Sequence, residues 1–225
     1  GAMGDTPLIT YNDGVRVVHK RAVRDMWDGM TKKHQTDAEQ LGAELATALG
    51  VRSPRIYRND EDAVYMDFME NTKVAQAVRD PAKFAAVNTR EGRLIGILDL
   101  MIGNSDRHDG NCLIDENGRP VPIDHGFSWA RVGGRGRDRH RPEDMPEVAS
   151  RSRFAKHYAS GEGWGDGGFI DHDLTPADVA YVRQRLASME PQFERLGRQS
   201  WYRHSEAVLR LIAARATGTR NQIAP

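Results

Sequence analysis

Apolar and polar positions change their period several times along this chain, and each change marks an element. Leu8-Ile-Thr-Tyr11 and Val15-Arg-Val-Val-His-Lys20 are short β-prone runs separated by Asn12-Asp-Gly14, which predicts a hairpin. Between positions 37 and 49, Ala38, Leu41, Leu45, Ala48 and Leu49 recur at the spacing of one helical face. Thr36 or Asp37 could cap that helix and Gly50 could end it. Residues 51–57, which include Pro54, and 63–69 predict two further strands.

The middle of the chain is the most informative part. Residues 94–102 are mostly apolar and predict a buried helix that stops at Gly103-Asn-Ser105. A polar loop follows from Asp106 to Asn111, with Gly110 as its flexible joint. Cys112-Leu-Ile and Val121-Pro-Ile are short apolar strands around the turn signal Glu116-Asn-Gly118. Such a hairpin carries Asn111 at the start of one strand and Asp124 at the end of the other, so both side chains can converge on one point. A carboxylate and an amide oxygen sharing a site suit a hard cation such as magnesium.

Beyond the hairpin, a long irregular stretch covers about 128–173. Within it, Val132-Gly-Gly-Arg-Gly-Arg-Asp-Arg-His-Arg-Pro142 is rich in Arg and Gly. It suits either a solvated loop or a clamp for an acidic or phosphorylated substrate, because Arg forks match phosphate oxygens. The glycine-dense run 161–168 lacks the strand-to-helix setting of a phosphate-binding motif and is expected to be a connector. Asp171-His-Asp173 is explained as the acidic approach to a helix. That helix opens at Thr175-Pro176 and carries Val179, Val182, Leu186 and Met189, with Pro191 beyond its end. A last amphipathic helix is predicted over 201–215, with Val208, Leu209, Leu211 and Ile212 on its apolar side.

Composition narrows the class. A zero formal charge argues against a general nucleic-acid coat or a strongly membrane-attracted surface. Nothing resembles a membrane-spanning run or a membrane-insertion face, and no signal peptide is visible. The single cysteine, Cys112, excludes an intramolecular disulfide, and a cytoplasmic location is expected. Residues 1–4 look like a vector-derived remnant, and residues 219–225 a polar tail.

The segment Asp106-Arg107-His108-Asp109-Gly110-Asn111, followed by Ile123-Asp124-His125-Gly126, resembles the catalytic and metal-binding loops of the protein-kinase-like superfamily. Its Asp-Arg-His-x-x-Asn form is similar to the phosphatidylinositol 3/4-kinase branch, with HipA-like kinases among the bacterial relatives. The resemblance implies an α+β, two-lobed protein-kinase-like fold, with a reduced β-rich lobe over residues 5–70 and a helical lobe over 71–218. By the same resemblance, Asp106 orients or deprotonates an acceptor hydroxyl, His108 assists at the transferred phosphoryl group, and Asn111 and Asp124 hold magnesium. Lys20 would contact the nucleotide phosphates and Glu39, rather than Glu44, would pair with it. The segment Met66-Asp67-Phe68-Met69-Glu70 would be the hinge that offers backbone groups to adenine.

One part of the kinase pattern is displaced. Asn12-Asp-Gly14 is the turn immediately before the lysine strand, which leaves no sequence for a preceding phosphate-covering hairpin. Truncation would account for that; otherwise Asp13-Gly14 or another segment must cover the phosphates. The expected activity is ATP- and magnesium-dependent phosphoryl transfer to a hydroxyl of a protein or small-molecule acceptor. Adenylyl transfer by the same fold, or nucleotide binding without catalysis, are the alternatives.

Overall fold

In the computed structural model, which describes residues 6–22, 30–58, 62–132, 140–155 and 175–216, the chain begins with the expected hairpin. Strands β1 (Leu8–Thr10) and β2 (Arg16–Arg21) pair antiparallel, with Thr10 opposite Arg16. Gly14 closes the turn at φ +85°, and the Asp13 side chain accepts a hydrogen bond from Val15 N–H at 3.0 Å. Strands β3 (Ile56–Arg58) and β4 (Ala63–Asp67) complete a four-stranded sheet in the order β1-β2-β4-β3. Lys20 lies opposite Val64, and Val18 opposite Met66.

Helix α1 (Lys32–Ala48) packs against this sheet and starts five residues before the expected position. Thr31, not Thr36 or Asp37, is its N-cap and accepts from His34 N–H. Asp37 instead sits inside the helix and is fully buried, because cations come to it. Arg58 of β3, Arg198 near the C-terminal helix, and Lys33 one turn earlier all pair with its carboxylate, Arg198 Nε at 2.8 Å and Lys33 Nζ at 3.2 Å. Hydrogen bonds from both arginines overcome the effect of burial and hold this carboxyl below its usual range. Residues 51–55 are not a strand, as the sequence had suggested; pairing begins only at Ile56, past Pro54, which has no N–H to donate.

After β4 the chain passes to a second, three-stranded sheet in the order β5-β6-β7, formed by Thr72–Val74, Cys112–Asp115 and Pro120–Pro122. The β6–β7 turn is fixed by Asp115, whose carboxylate accepts from Asn117 N–H and Arg119 N–H, each at 2.9 Å. Helices α2 (Asp80–Val87) and α3 (Arg90–Ile102) precede this hairpin. The short α4 (Met145–Val148) follows it, and then come α5 (Pro176–Ser188), α6 (Glu190–Arg195) and α7 (Gln199–Ala216). Pro191 therefore opens a helix of its own rather than trailing one, as proline is tolerated in a first helical turn. The Arg/Gly-rich residues 133–139, the glycine run 161–168, Asp171-His-Asp173 and the tail lie outside the described residues.

The core joins α1, α3 and the C-terminal helices. Leu41, Leu45 and Leu49 meet Ile95, Leu98 and Met101, with Phe193, Trp129 and Trp201 in the same cluster. Trp129 stacks on Trp201 at 4.9 Å between ring centroids, and its indole N–H donates to Ser205, whose hydroxyl donates to Met101 O. His34 ties α1 to the stretch after β7, its Nε2 lying 2.8 Å from Ser128 O. Burial dominates at His34 and brings its pKa down to about 4, so the ring is neutral and donates to that carbonyl.

The unfolded chain takes a proton on this imidazole below its ordinary pKa of 6.5, whereas the folded chain refuses it until about 4. Stability is therefore lost as pH falls through that window. Urea denaturation at pH 7 and pH 5 should show wild type losing about 2 kcal/mol more than His34→Gln over that interval. Equal losses in the two proteins would show that the buried ring does not set this slope.

Candidate active site

Gly103 ends α3 in the left-handed region at φ +57°, where a side chain would also meet Met145 Sδ at 2.7 Å. The buried Asn104 then accepts from Asp106 N–H at 3.0 Å, a local turn that starts the polar loop. Asn111 closes the loop: its amide nitrogen donates to Asp106 O at 2.8 Å and lies 3.4 Å from Asp106 Oδ2. His108 accepts from Gly110 N–H through Nδ1, and its Nε2 stands 3.9 Å from Asp106 Oδ2, too far for a direct hydrogen bond. Across the hairpin, Ile123 N–H donates to Asn111 O at 3.2 Å, so Asp124 follows directly beside Asn111.

Asp124 occupies the left-handed region at φ +59°, rare for a residue with a side chain. Its Oδ1 is 2.5 Å from Lys20 Nζ, and the same ammonium is 2.7 Å from Glu39 Oε2. Burial alone would lower the lysine's pKa; the two carboxylates outweigh it and push it up to about 12. Glu39 is buried, and its second oxygen, Oε1, has no hydrogen-bond partner among the described residues. Three elements far apart in sequence thus meet at one charge cluster: β2, α1 and the loop after β7.

Sequence reasoning missed what holds those loops together. Arg107 is 1% exposed, and its guanidinium spans the polar loop and the Asp124 segment. It donates to Asn111 O at 2.6 Å, to Ile123 O, to His125 Nδ1 at 3.0 Å and to Asp99 of α3 at 3.2 Å. Burial first, then Arg107 and Lys20, hold His125 well below its ordinary pKa, so that ring is neutral and able to accept from Arg107. Gly42 of α1 makes room for it, since a Cβ there would fall 2.5 Å from His125 Cβ. The signals available were a glycine inside a strong helix pattern, which costs about 1 kcal/mol, and an arginine within an otherwise acidic loop.

In the segment Met66–Glu70 part of the backbone is paired within the protein. Met66 lies within the sheet between β2 and β3, and the N–H groups of Asp67 and Phe68 donate to Arg55 O and Arg16 O. Arg16 covers the Phe68 ring at 3.9 Å and pairs with Glu70, which stiffens this crossing. Cys112 is buried, and burial pushes its thiol up to about 12, so it supplies no nucleophile.

A family model described as phosphatidylinositol 3- and 4-kinase matches residues 11–152, the stretch from the first hairpin through the loops just described. The chain belongs to the phosphatidylinositol 3- and 4-kinase family. Its fold is accordingly the protein-kinase-like α+β one, an N-terminal antiparallel sheet with one helix followed by a helical region. Among solved structures, the Rio2 kinase of Chaetomium thermophilum in its ADP/Mg2+-phosphoaspartate complex is similar at 14% identity. That likeness has a TM-score of 0.44 over 92% of this chain and 69% of the other. No curated protein matches.

Kinases of this family use ATP and magnesium in general, and the donor set here fits a hard cation. Asn111 and Asp124 offer an amide and a carboxylate oxygen at adjoining buried positions. Among the described residues no group of three or more His, Cys, Asp or Glu could hold a metal by itself. Magnesium is usually bound by one or two protein groups together with substrate phosphates and water. Among the described residues no helix is long and apolar enough to cross a membrane.

Removing the Arg107 charge should strand Asp99 in the interior. Arg107→Met is expected to cost about 3–5 kcal/mol in urea denaturation. The double change Asp99→Asn with Arg107→Met should recover part of that loss, because no buried charge is left unpaired. Equal stability of single variant and wild type would contradict the clamp.

Proposed function

We propose that this chain is an ATP- and magnesium-dependent kinase that transfers the γ-phosphoryl group to a hydroxyl of a protein or small-molecule acceptor. The observation that carries this reading is the charge cluster of Lys20, Glu39 and Asp124, set beside the Asp106–Asn111 loop by one buried arginine. In this reading the small lobe covers residues 5–70 and the helical lobe 71–218, and the nucleotide lies between them. The affinity to HipA-like bacterial kinases rests on the Asp-Arg-His-x-x-Asn motif.

Lys20, oriented by Glu39, binds phosphate oxygens as a point charge. Asn111 and Asp124 hold magnesium, which when bound neutralises charge on the phosphates. Asp106 accepts the acceptor's hydroxyl hydrogen bond and aims that oxygen at the γ-phosphorus. The oxygen–phosphorus bond forms as the bond to the β,γ-bridging oxygen breaks. ADP leaves with that electron pair and the hydroxyl proton passes to Asp106. His108, half-exposed at the same loop, faces the transferred group. Catalysis of this kind is positioning plus charge stabilisation, so a sparse constellation is enough.

Asp124→Ala separates the metal position from the fold, because Lys20 keeps Glu39 as its partner. Magnesium-dependent ATP turnover should fall by about 100-fold or more, with the circular dichroism spectrum unchanged. Undiminished turnover in a folded variant would remove Asp124 from the metal site.

A further inference from the structure

One face of the four-stranded sheet carries a row of three rings that phosphoryl transfer leaves unused. His19, Tyr65 and Tyr57 are register partners on the adjacent strands β2, β4 and β3. The next row, Lys20, Val64 and Arg58, faces α1, because Lys20 reaches Glu39 and Arg58 reaches Asp37. Side chains alternate along a strand, so the three rings project from the opposite face, away from α1 and from the charge cluster at Lys20.

His19 and Tyr65 stack, with 4.6 Å between ring centroids and 19° between ring planes. Tyr57 is 48% exposed and makes no ring contact among the described residues, so it is free to close over the second face of Tyr65. Neither phenol oxygen nor the His19 ring has a hydrogen-bond partner among the described residues. Two exposed arginines flank the row: Arg21 stands two positions beyond His19, and Arg55 two positions before Tyr57. Neither has an ion-pair partner among the described residues, and the one carboxylate at these register positions is Asp67. A cross-strand aromatic pair accounts for His19 on Tyr65. It does not account for a third, exposed ring in the same row with two uncommitted guanidiniums beside it.

We propose that this face binds single-stranded nucleic acid, with one unpaired base between Tyr57 and Tyr65 and the neighbouring phosphates on Arg21 and Arg55. Every base offers a π-face to a ring, and the free phenol and imidazole edges supply hydrogen bonds to it. A duplex keeps its bases stacked on one another and presents none to the tyrosines. A peptide brings no row of phosphates to answer the two guanidiniums. The row crosses three strands, about 10 Å, which is room for two or three nucleotides. A footprint of that size is compatible with a chain of zero formal charge, unlike a general nucleic-acid coat. It lies apart from the proposed nucleotide cleft and does not depend on phosphoryl transfer.

A short fluorescein-labelled RNA of mixed sequence, followed by anisotropy with the full chain at low ionic strength, tests the face. Binding should persist in excess magnesium-ATP. Tyr65→Ala and Tyr57→Ala should each weaken it about fivefold to 100-fold, while Tyr65→Phe stays near wild type. Tyr57 is exposed, so its variant keeps the test open even where Tyr65→Ala disturbs the sheet. Arg21→Gln should lower the slope of log affinity against log salt by about 0.7. Displacement of the RNA by ATP would place it in the nucleotide cleft, and equal affinity for the duplex would reduce it to charge attraction. Either result overturns the inference, as does wild-type affinity in Tyr57→Ala. A labelled proline-rich peptide that binds where the RNA does not would assign the face to a peptide and overturn it as well.

Discussion

A guanidinium can be buried only if its charge and its donors are answered, and Arg107 meets that requirement by joining α3, the polar loop and the Asp124 segment. Asp99 of α3 supplies the counter-charge, while Asn111 O, Ile123 O and His125 Nδ1 take the remaining donors. The backbone on either side of the β6–β7 hairpin is thereby fixed at the end where Asn111 and Asp124 lie. Ser152 adds the segment after α4 to the same carboxylate. Loss of this one side chain would free the polar loop and the Asp124 segment together.

The second constraint is electrostatic and runs between the sheet and the helices. Lys20 balances two buried carboxylates, one on α1 and one after β7. Asp37 draws Arg58 from β3 and Arg198 from the approach to α7 to another point on α1. Helix α1 is thus tied to the β-rich part at both its start and its middle, and to the helical part through Asp37, His34 and Glu39. Its position sets whether Glu39 can hold Lys20. Gly42 makes the register strict, since the helix passes within contact of His125 with no side chain between them.

Local chemistry made much of this legible in the sequence. The Asn12-Asp-Gly14 turn, the stop at Gly103, the Thr175 cap and the hairpin that brings Asn111 beside Asp124 all rest on signals spanning a few residues. What stayed hidden depends on distant partners. Asp37 resembled a helix cap because a lone aspartate near a helix start usually is one; Arg58 and Arg198, 21 and 161 positions away, offset its burial. Arg107 stood in plain view inside the motif, but its role is set by Asp99, Ile123 and His125 in the folded chain. The hinge strand was visible as a strand, whereas its pairing with β2 and with Arg55 depends on partners outside the run.

In the function proposed above, the Lys20–Glu39–Asp124 cluster and the Asp106–Asn111 loop pass on the terminal phosphoryl group of ATP. Parallel incubations of the full chain with native lysate, one with γ-labelled and one with α-labelled ATP in magnesium, test it most directly. Label from the γ position alone should reach the acceptor, and Asp106→Asn should suppress it. Label arriving from the α position, or no transfer of either, would contradict the account.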